Sequence, residues 1–408
     1  MPVDIALKKF FSSLDFSKMS HTIEFVSLLD AGSRVLANDI TSGMDIPPFI
    51  GAEMDGYAVR SADTKEASTK YPILLQVVGK IYAGHEGQYK LRSGNAITIA
   101  TGARLPKGAD SVVMIEHTKL ENNMVRIFKK IEKGQHVSLK GNDVKNGQVL
   151  LKKGTWLTPQ DIGLIASVGV SKVPVFKRPQ VAVFATGDEL IEPGSKLENT
   201  CIFESNRYMI SSMVRDFGGE VIDFGICKDD KDLILSKFKK ALKFDMVVVS
   251  GGASVGEKDY VPDLIKNLGK PGLIIHGIAM KPGSPTGLGI VNHKPIILSP
   301  GYPVSSFIAF YVFGQPLLLK MLGATAGGPF TPKLIAKMAA AINVHVNFRT
   351  FVRVNVVRHN GLYLAEPITA SGPSLLSTLT KSNGIVITDN RSKLAKGTKV
   401  EVILLRSI

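Results

Sequence analysis

The chain has 408 residues, more than the roughly 250 that one hydrophobic core usually supports, so two to four domains are expected. With 44% hydrophobic and 21% charged residues it has the make-up of a soluble globular protein, and no apolar run is expected to approach the roughly 20 residues of a membrane span. The formal charge of +15 favours anionic partners, but the lysines are spread along the chain without clustered aromatic residues, which argues against a stacking platform for single-stranded nucleic acid.

Residues 1–15 combine Lys8 and Lys9 with a periodic apolar pattern and lack the cleavage site of a secretory signal, so export is not expected. From His21 to Asp39, the positions of Ile23, Phe25, Val26, Leu28 and Leu29 predict a short helix that turns at Gly32. Short β-type runs over 73–78, 96–99 and 111–115, separated by glycines and Pro106, predict a small all-β module. A helix follows over 159–168, with Thr158 as its N-cap.

The texture changes at Pro179. Apolar runs over 181–185, 246–249 and 296–298 close in Thr186-Gly187-Asp188-Glu189, Ser250-Gly251-Gly252 and Ser299-Pro300-Gly301, with helical patterns over 206–217 and 232–242 between them. Strands alternating with helices predict an open, mainly parallel sheet, whose ligands bind beyond the carboxyl ends of the strands. The three loops should therefore face one crevice. Cys201 and Cys227, the only cysteines, lack disulfide or metal-ligand spacing and fit a reducing cytoplasm. After a Gly/Ala/Pro-rich junction over 323–332, alternating runs over 350–356, 362–365, 384–388 and 400–405 predict a compact all-β terminal domain.

Four loops carry chemistry. Asp188 and Glu189 are adjacent hard-oxygen donors suited to a hydrated Mg²⁺, although helix capping is an equally ordinary use of them. Residues 250–256 hold three glycines and two serines after an apolar strand, so that backbone N–H groups can converge on an oxyanion; a plain strand-to-helix turn is the structural alternative. The loop has neither the Gly-Lys-Ser/Thr of a Walker sequence nor the spacing of a dinucleotide fingerprint. Asp259 follows closely enough to orient water or a metal there. Lys281-Pro282-Gly283-Ser284-Pro285 points a lysine along a proline-stiffened backbone, as suits a point charge on an anion. Residues 299–306 resemble that loop and lead into an apolar helix through Phe307, Phe310 and Phe313. Together the four loops make a phosphate-rich ligand the economical explanation.

These loops, in this order, resemble the MoeA family and the homologous catalytic region of gephyrin. The likeness rests on Thr186 to Leu190, Ser205-Asn206, the 250–256 loop with Asp259, Met280 to Gly283 and Pro300 to Ser305. It extends to Met54-Asp55-Gly56-Tyr57-Ala58-Val59-Arg60, Thr101-Gly102-Ala103, Leu105-Pro106, Asn142-Asp143, Arg349 to Arg353 and Ser374 to Gly384, and so covers nearly the whole chain.

The resemblance implies an elongated, multidomain subunit that combines α/β and all-β parts. These are an N-terminal helical and linker domain over 1–45 and 140–178, an inserted β module over 46–139, an α/β molybdopterin-nucleotide-binding domain over 179–326 and a β-barrel-like domain over 327–408. It further implies a cytoplasmic homodimer, with the cleft completed by the β module of the mate. Family members take adenylylated molybdopterin and molybdate, release AMP and leave molybdenum on the dithiolene, with Mg²⁺ in support.

Carried over by position, Asp55, Thr101, Asp143, Glu189, Asp229 and Asp259 are the catalytic candidates, and Asp188, Glu189 and Asp259 the metal candidates. The binding candidates are Thr186, Gly187, Asp188, Ser250, Gly251, Gly252, Ser254, Gly256, Lys281, Pro282, Gly283, Pro300, Gly301, Pro303 and Ser305. Transient contact with the adenylylating protein and with acceptor molybdoenzymes is expected, and nucleic acid or membrane is not.

Departures from the family pattern lie at 50–53, where a further aspartate and a serine are common, at Ser284, where lysine is common, and at Tyr302, where asparagine is common. They leave room for a tungstate-preferring paralogue. Rival readings are molybdopterin adenylylation, whose single-domain enzymes lack the Asp55 and Thr101 segments, a gephyrin-like scaffold, and a nucleic-acid binder.

Overall fold

The computed structural model describes residues 1–408 apart from 20–21, 86, 198–199, 254–259, 326–327, 330, 369–371 and 390. The chain divides into two compact units, one of residues 39–152 and 159–171, the other of 1–38, 153–158 and 172–408.

The smaller unit is built on a six-stranded sheet in the order Ser111–Met114, Gly56–Val59, Asn95–Ile99, Ile73–Ile81, Met124–Ile127, Thr118–Glu121. Tyr57, Ala58 and Val59 are all buried, because both faces of the sheet are covered. Ala58, Ile97, Ile99 and Val112 form one core and Tyr57, Val59, Val113, Val125 and Ile127 the other. At Gly56 the crossing is too close for a side chain, since a Cβ would lie 1.9 Å from the Val113 carbonyl oxygen. That contact fixes the entry of the strand just after Asp55. The helix expected from residue 159 is present as Pro159–Ser167.

In the larger unit, Glu220–Cys227, Gln180–Thr186, Met246–Ser250 and Lys294–Ser299 run parallel, and Gly287–Val291 and Pro271–His276 extend the sheet antiparallel. Continuous apolar runs suit strands buried on both faces. Val181, Val183, Val248 and Ile297 face the helix Asn206–Asp216, the N-terminal helix Val3–Ser12 through Phe10, and Phe310 and Phe313. Ala182, Phe184, Val247 and Val249 face the helices Lys231–Ala241 and Tyr260–Leu268, where Phe184 meets Phe238 edge-on at 5.1 Å. Pairing of Thr186 with Cys227, Ala185 with Ser250 and Ser250 with Ser299 brings the strand ends into line.

The helical stretch Pro303–Met321, at 19 residues and a mean hydropathy of 1.3, is long and apolar enough to cross a membrane, contrary to the expectation from its sequence. Its window is 61% buried, and Phe310, Phe313, Leu317 and Leu318 lie in the core beside the sheet.

The helix expected within 21–39 is a second correction. Ile23–Ser27 is a strand, paired antiparallel with Lys172–Phe176, and only the single turn Leu28–Asp30 is helical. The β-branched Ile23 and Val26 tolerate either structure, and a partner strand distant in sequence decides for the extended one.

The C-terminal sheet closes on itself. Arg349–His359 pairs with both Leu362–Pro367 and Gly384–Thr388, and the circuit runs on through Lys399–Leu404 and Lys333–Met338 to give a five-stranded barrel around Val354, Val356, Ala365, Val386 and Val402. Met280–Lys281 adds to it as a short parallel strand beside Arg349–Thr350.

Candidate active site

Three strand ends converge in the larger unit. Gly251 N donates to Ser299 O at 3.1 Å, and Asn206 Nδ2 donates to Ser250 Oγ at 2.9 Å and to Gly301 O at 2.7 Å. Gly251 sits at φ +93°, and a Cβ there would lie 2.3 Å from Thr186 O, so glycine alone permits the approach. The residue after Asn206, Arg207, is buried and pairs with Glu192, Glu204 and Asp223. Burial pushes the Glu204 carboxyl above its ordinary value despite that pairing. Thr186 Oγ1 and Asn206 Oδ1 are buried without a partner among the described residues, so acceptors stand unsatisfied where the strands end.

Asp188 and Asp229 brace each other across the neighbouring loops. Asp229 N donates to Asp188 Oδ1 at 3.2 Å, and Asp188 N donates to Asp229 Oδ2 at 3.3 Å. The Glu189 carboxylate folds back over Gly187, where a Cβ would meet both of its oxygens at 2.8 Å. Lys228 Nζ donates to Asp188 O at 3.1 Å. Among the described residues no three His, Cys, Asp or Glu side chains gather into a metal-sized group. Ser254, Gly256 and Asp259 lie outside the described residues.

Beside the last strand end opens a cleft of ≈ 740 Å³, lined by 281–285, Pro300, Tyr302 and Ser305 on one side and by His345, Thr350 and Arg353 on the other. Lys281 Nζ lies 3.3 Å from His345 Nδ1 and 4.8 Å from the Phe348 ring centre. Arg353 is only 6% exposed, its Nε has no hydrogen-bond partner, and no carboxylate pairs with it among the described residues. Burial pushes its guanidinium below the ordinary value. An unpaired buried cation is costly, and one lining a cleft beside a lysine is poised for an anion.

In the smaller unit, Asp55 Oδ1 accepts from Thr101 N at 2.7 Å and from Thr101 Oγ1 at 3.0 Å. These two bonds, the backbone one first, hold the Asp55 carboxyl below the ordinary carboxylate range. Asp143 stands in a separate turn, where its N–H donates to Ile46 O at 3.0 Å.

Family models match nearly the whole chain. The MoeA N-terminal region (domain I and II) covers residues 1–169, the "Probable molybdopterin binding domain" 182–320, and the MoeA C-terminal region (domain IV) 336–405. The molybdopterin molybdenumtransferase of Bacillus subtilis is 33% identical over 413 residues, spanning 100% of this chain and 94% of the relative. That of Haemophilus influenzae is 32% identical and spans 98% of each. The crystal structure of the molybdopterin biosynthesis MoeA protein from Pyrococcus horikoshii superposes with a TM-score of 0.84, at 33% identity and 99% coverage of both chains. The chain belongs to the MoeA family.

Within this MoeA chain, the first matched region carries Asp55, Thr101 and Asp143, and the structure brings the first two together. The second carries the strand-end turns with Thr186, Gly187, Ser250, Gly251, Gly252, Pro300 and Gly301, together with the 281–283 loop, Pro303 and Ser305. Asn206 and Arg353 are the residues that motif reading did not single out. Asn206 was visible only as half of Ser205-Asn206. Arg353 shares a strand face with Phe351, opposite the face that Val354 and Val356 turn into the barrel, and only the packing of that outer face buries it.

Proposed function

We propose that this chain is a molybdopterin molybdenumtransferase, taking adenylylated molybdopterin and molybdate and releasing AMP as molybdenum is left on the dithiolene. The observation that carries the reading is the buried Arg353, without a carboxylate partner among the described residues, lining a cleft with Lys281 next to the glycine turns of a parallel sheet. Lys281, Arg353 and Ser305 form an oxyanion subsite, while Gly251, Asn206 and Gly301 shape the nucleotide end. The full-length matches support this over single-domain adenylylation and over a scaffold role.

Asp188, Glu189 and Asp229 offer hard oxygen donors of the kind Mg²⁺ takes, with phosphate and water completing its shell. Bound there, Mg²⁺ would neutralise charge on the phosphoanhydride. The same carboxylates orient the attacking water, and Asp55 enters as an ionised acceptor that fixes Thr101. We place the reaction in the cytoplasm, in keeping with the free thiols of Cys201 and Cys227, and in a homodimer, in keeping with the exposed side chains of Phe25 and Leu29, the latter 97% accessible.

The test supplies purified protein with adenylylated molybdopterin and molybdate, with Mg²⁺ or a chelator, and reads AMP and pterin-bound molybdenum. No AMP under any condition would refute the reading, whereas AMP release untouched by chelation would remove only the metal. Tungstate in competition settles the oxyanion preference, and light scattering settles the dimer.

A further inference from the structure

Lys281 sits on a strand of only two residues, too short to hold a side chain in place by its own ladder. Its register partner is the start of the barrel strand, with Met280 opposite Arg349 and Lys281 opposite Thr350, and Arg349 N donates to Ala279 O at 2.9 Å. Arg349 therefore adjoins both parts of the lysine's setting: it lies across from Met280, and it directly follows Phe348, over whose ring the ammonium stands.

The Arg349 guanidinium is itself gripped from two directions. Nη1 and Nη2 donate to Asp4 Oδ1 and Oδ2 at 2.9 and 2.8 Å, and Nε donates to Asp389 Oδ1 at 2.8 Å. Such forked pairs fix direction as well as distance. Asp4 opens the N-terminal helix, whose Val3, Ala6 and Phe10 share a core with Ile278, Met280 and Phe351, and Ala279 N donates to Met1 O at 2.6 Å. Segments far apart in sequence thus meet around the 279–281 stretch.

We propose that Asp4, Arg349 and Asp389 form a clasp that positions Lys281 for its oxyanion, with Arg349 as the positioning residue. The inference rests on the reading of Lys281 as an oxyanion ligand and deepens it: the N-terminal helix is part of what sets affinity in the cleft.

The test uses the full chain and sodium molybdate as the calorimetric probe. Arg349→Met is expected to weaken molybdate roughly 10-fold, and Asp4→Asn, a milder change at an exposed carboxylate, less. Because the clasp acts through the lysine, Lys281→Ala combined with Arg349→Met should bind no more weakly than Lys281→Ala alone. Hydrogen exchange supplies a readout independent of the ligand, and the 279–281 amides should exchange faster in both clasp variants. Unchanged exchange, or losses that multiply in the double variant, would overturn the proposal. If Lys281→Ala binds molybdate like the parent chain, the oxyanion reading fails instead, and exchange alone decides whether the clasp holds the strand.

Discussion

Arg353 gives the sharpest quantitative test, because its burial works against stability while serving the ligand. Arg353→Met keeps length and apolar stem but removes a cation that has 6% exposure and no carboxylate partner among the described residues. Replacing buried charged groups with apolar side chains of similar volume is typically neutral to stabilising by ~1–4 kcal/mol. At about 1.5–2 °C per kcal/mol for a folded unit the size of the larger one, the ligand-free variant should melt a few degrees above the parent. Molybdate reverses the order: at a hundred times its Kd it adds about 2.7 kcal/mol to a protein that binds it and nothing to one that does not. Scanning calorimetry with and without molybdate measures both effects on one pair of samples. A variant that melts lower without ligand, or that gains as much from molybdate as the parent, would refute the assignment of Arg353 as a cation held ready for an oxyanion.

Gly251→Ala places a Cβ 2.3 Å from Thr186 O at φ +93°, so at least ~1 kcal/mol of backbone strain comes on top of the overlap; calorimetric AMP affinity should fall with the melting temperature. Asn206→Ala removes the hydrogen bonds to Ser250 Oγ and Gly301 O, about 1 kcal/mol each, and should weaken AMP by roughly 10-fold or more while molybdate binding is kept. Thr101→Val removes the hydroxyl bond to Asp55 but keeps the backbone one, so the Asp55 carboxyl should rise part of the way towards its ordinary value in a carbon-13 NMR titration. The sign follows from that depression. The stability Asp55 contributes is present above the unfolded carboxylate value near ~3.9 and is lost as pH falls through the lower folded value; in the variant the contribution is smaller and its loss is complete at a higher pH.

Where sequence reading succeeded, local pattern and tertiary outcome agree. The runs at 181–185, 246–249 and 296–298 are bounded by glycine turns and are apolar without alternation, which only a sheet covered on both faces accommodates, and they became the central parallel strands. Gly251 was legible because its turn needs a missing side chain. Ile23–Ser27 was not legible as a strand, because its partner Lys172–Phe176 lies well over a hundred residues away and nothing local announces the pairing. Arg353 and Asn206 were missed for a related reason: each is an ordinary polar residue until folding surrounds it. The mutual bracing of Asp188 and Asp229 likewise depends on register between neighbouring strands, which spacing along the chain does not reveal.

The residues of the larger unit divide by charge around one shared wall. Cations line the cleft, at Lys281 and Arg353, and carboxylates stand on the loops at the strand ends, at Asp188, Glu189 and Asp229. The 300–302 turn belongs to both regions, since Pro300 and Tyr302 line the cleft while Gly301 O accepts from Asn206 beside Gly251. A ligand carrying a free oxyanion at one end and a phosphoanhydride at the other meets bare positive charge first. Its phosphates meet acidic groups second, which disfavour a dianion unless a cation joins them. On the proposed reading, nucleotide binding should depend on divalent metal more steeply than oxyanion binding, because Arg353 and Lys281 need no bridging ion. Calorimetry of AMP and of molybdate across a Mg²⁺ series measures the two dependences separately. Equal dependence on metal would place the carboxylates and the cations in one undivided site and undo this division of labour.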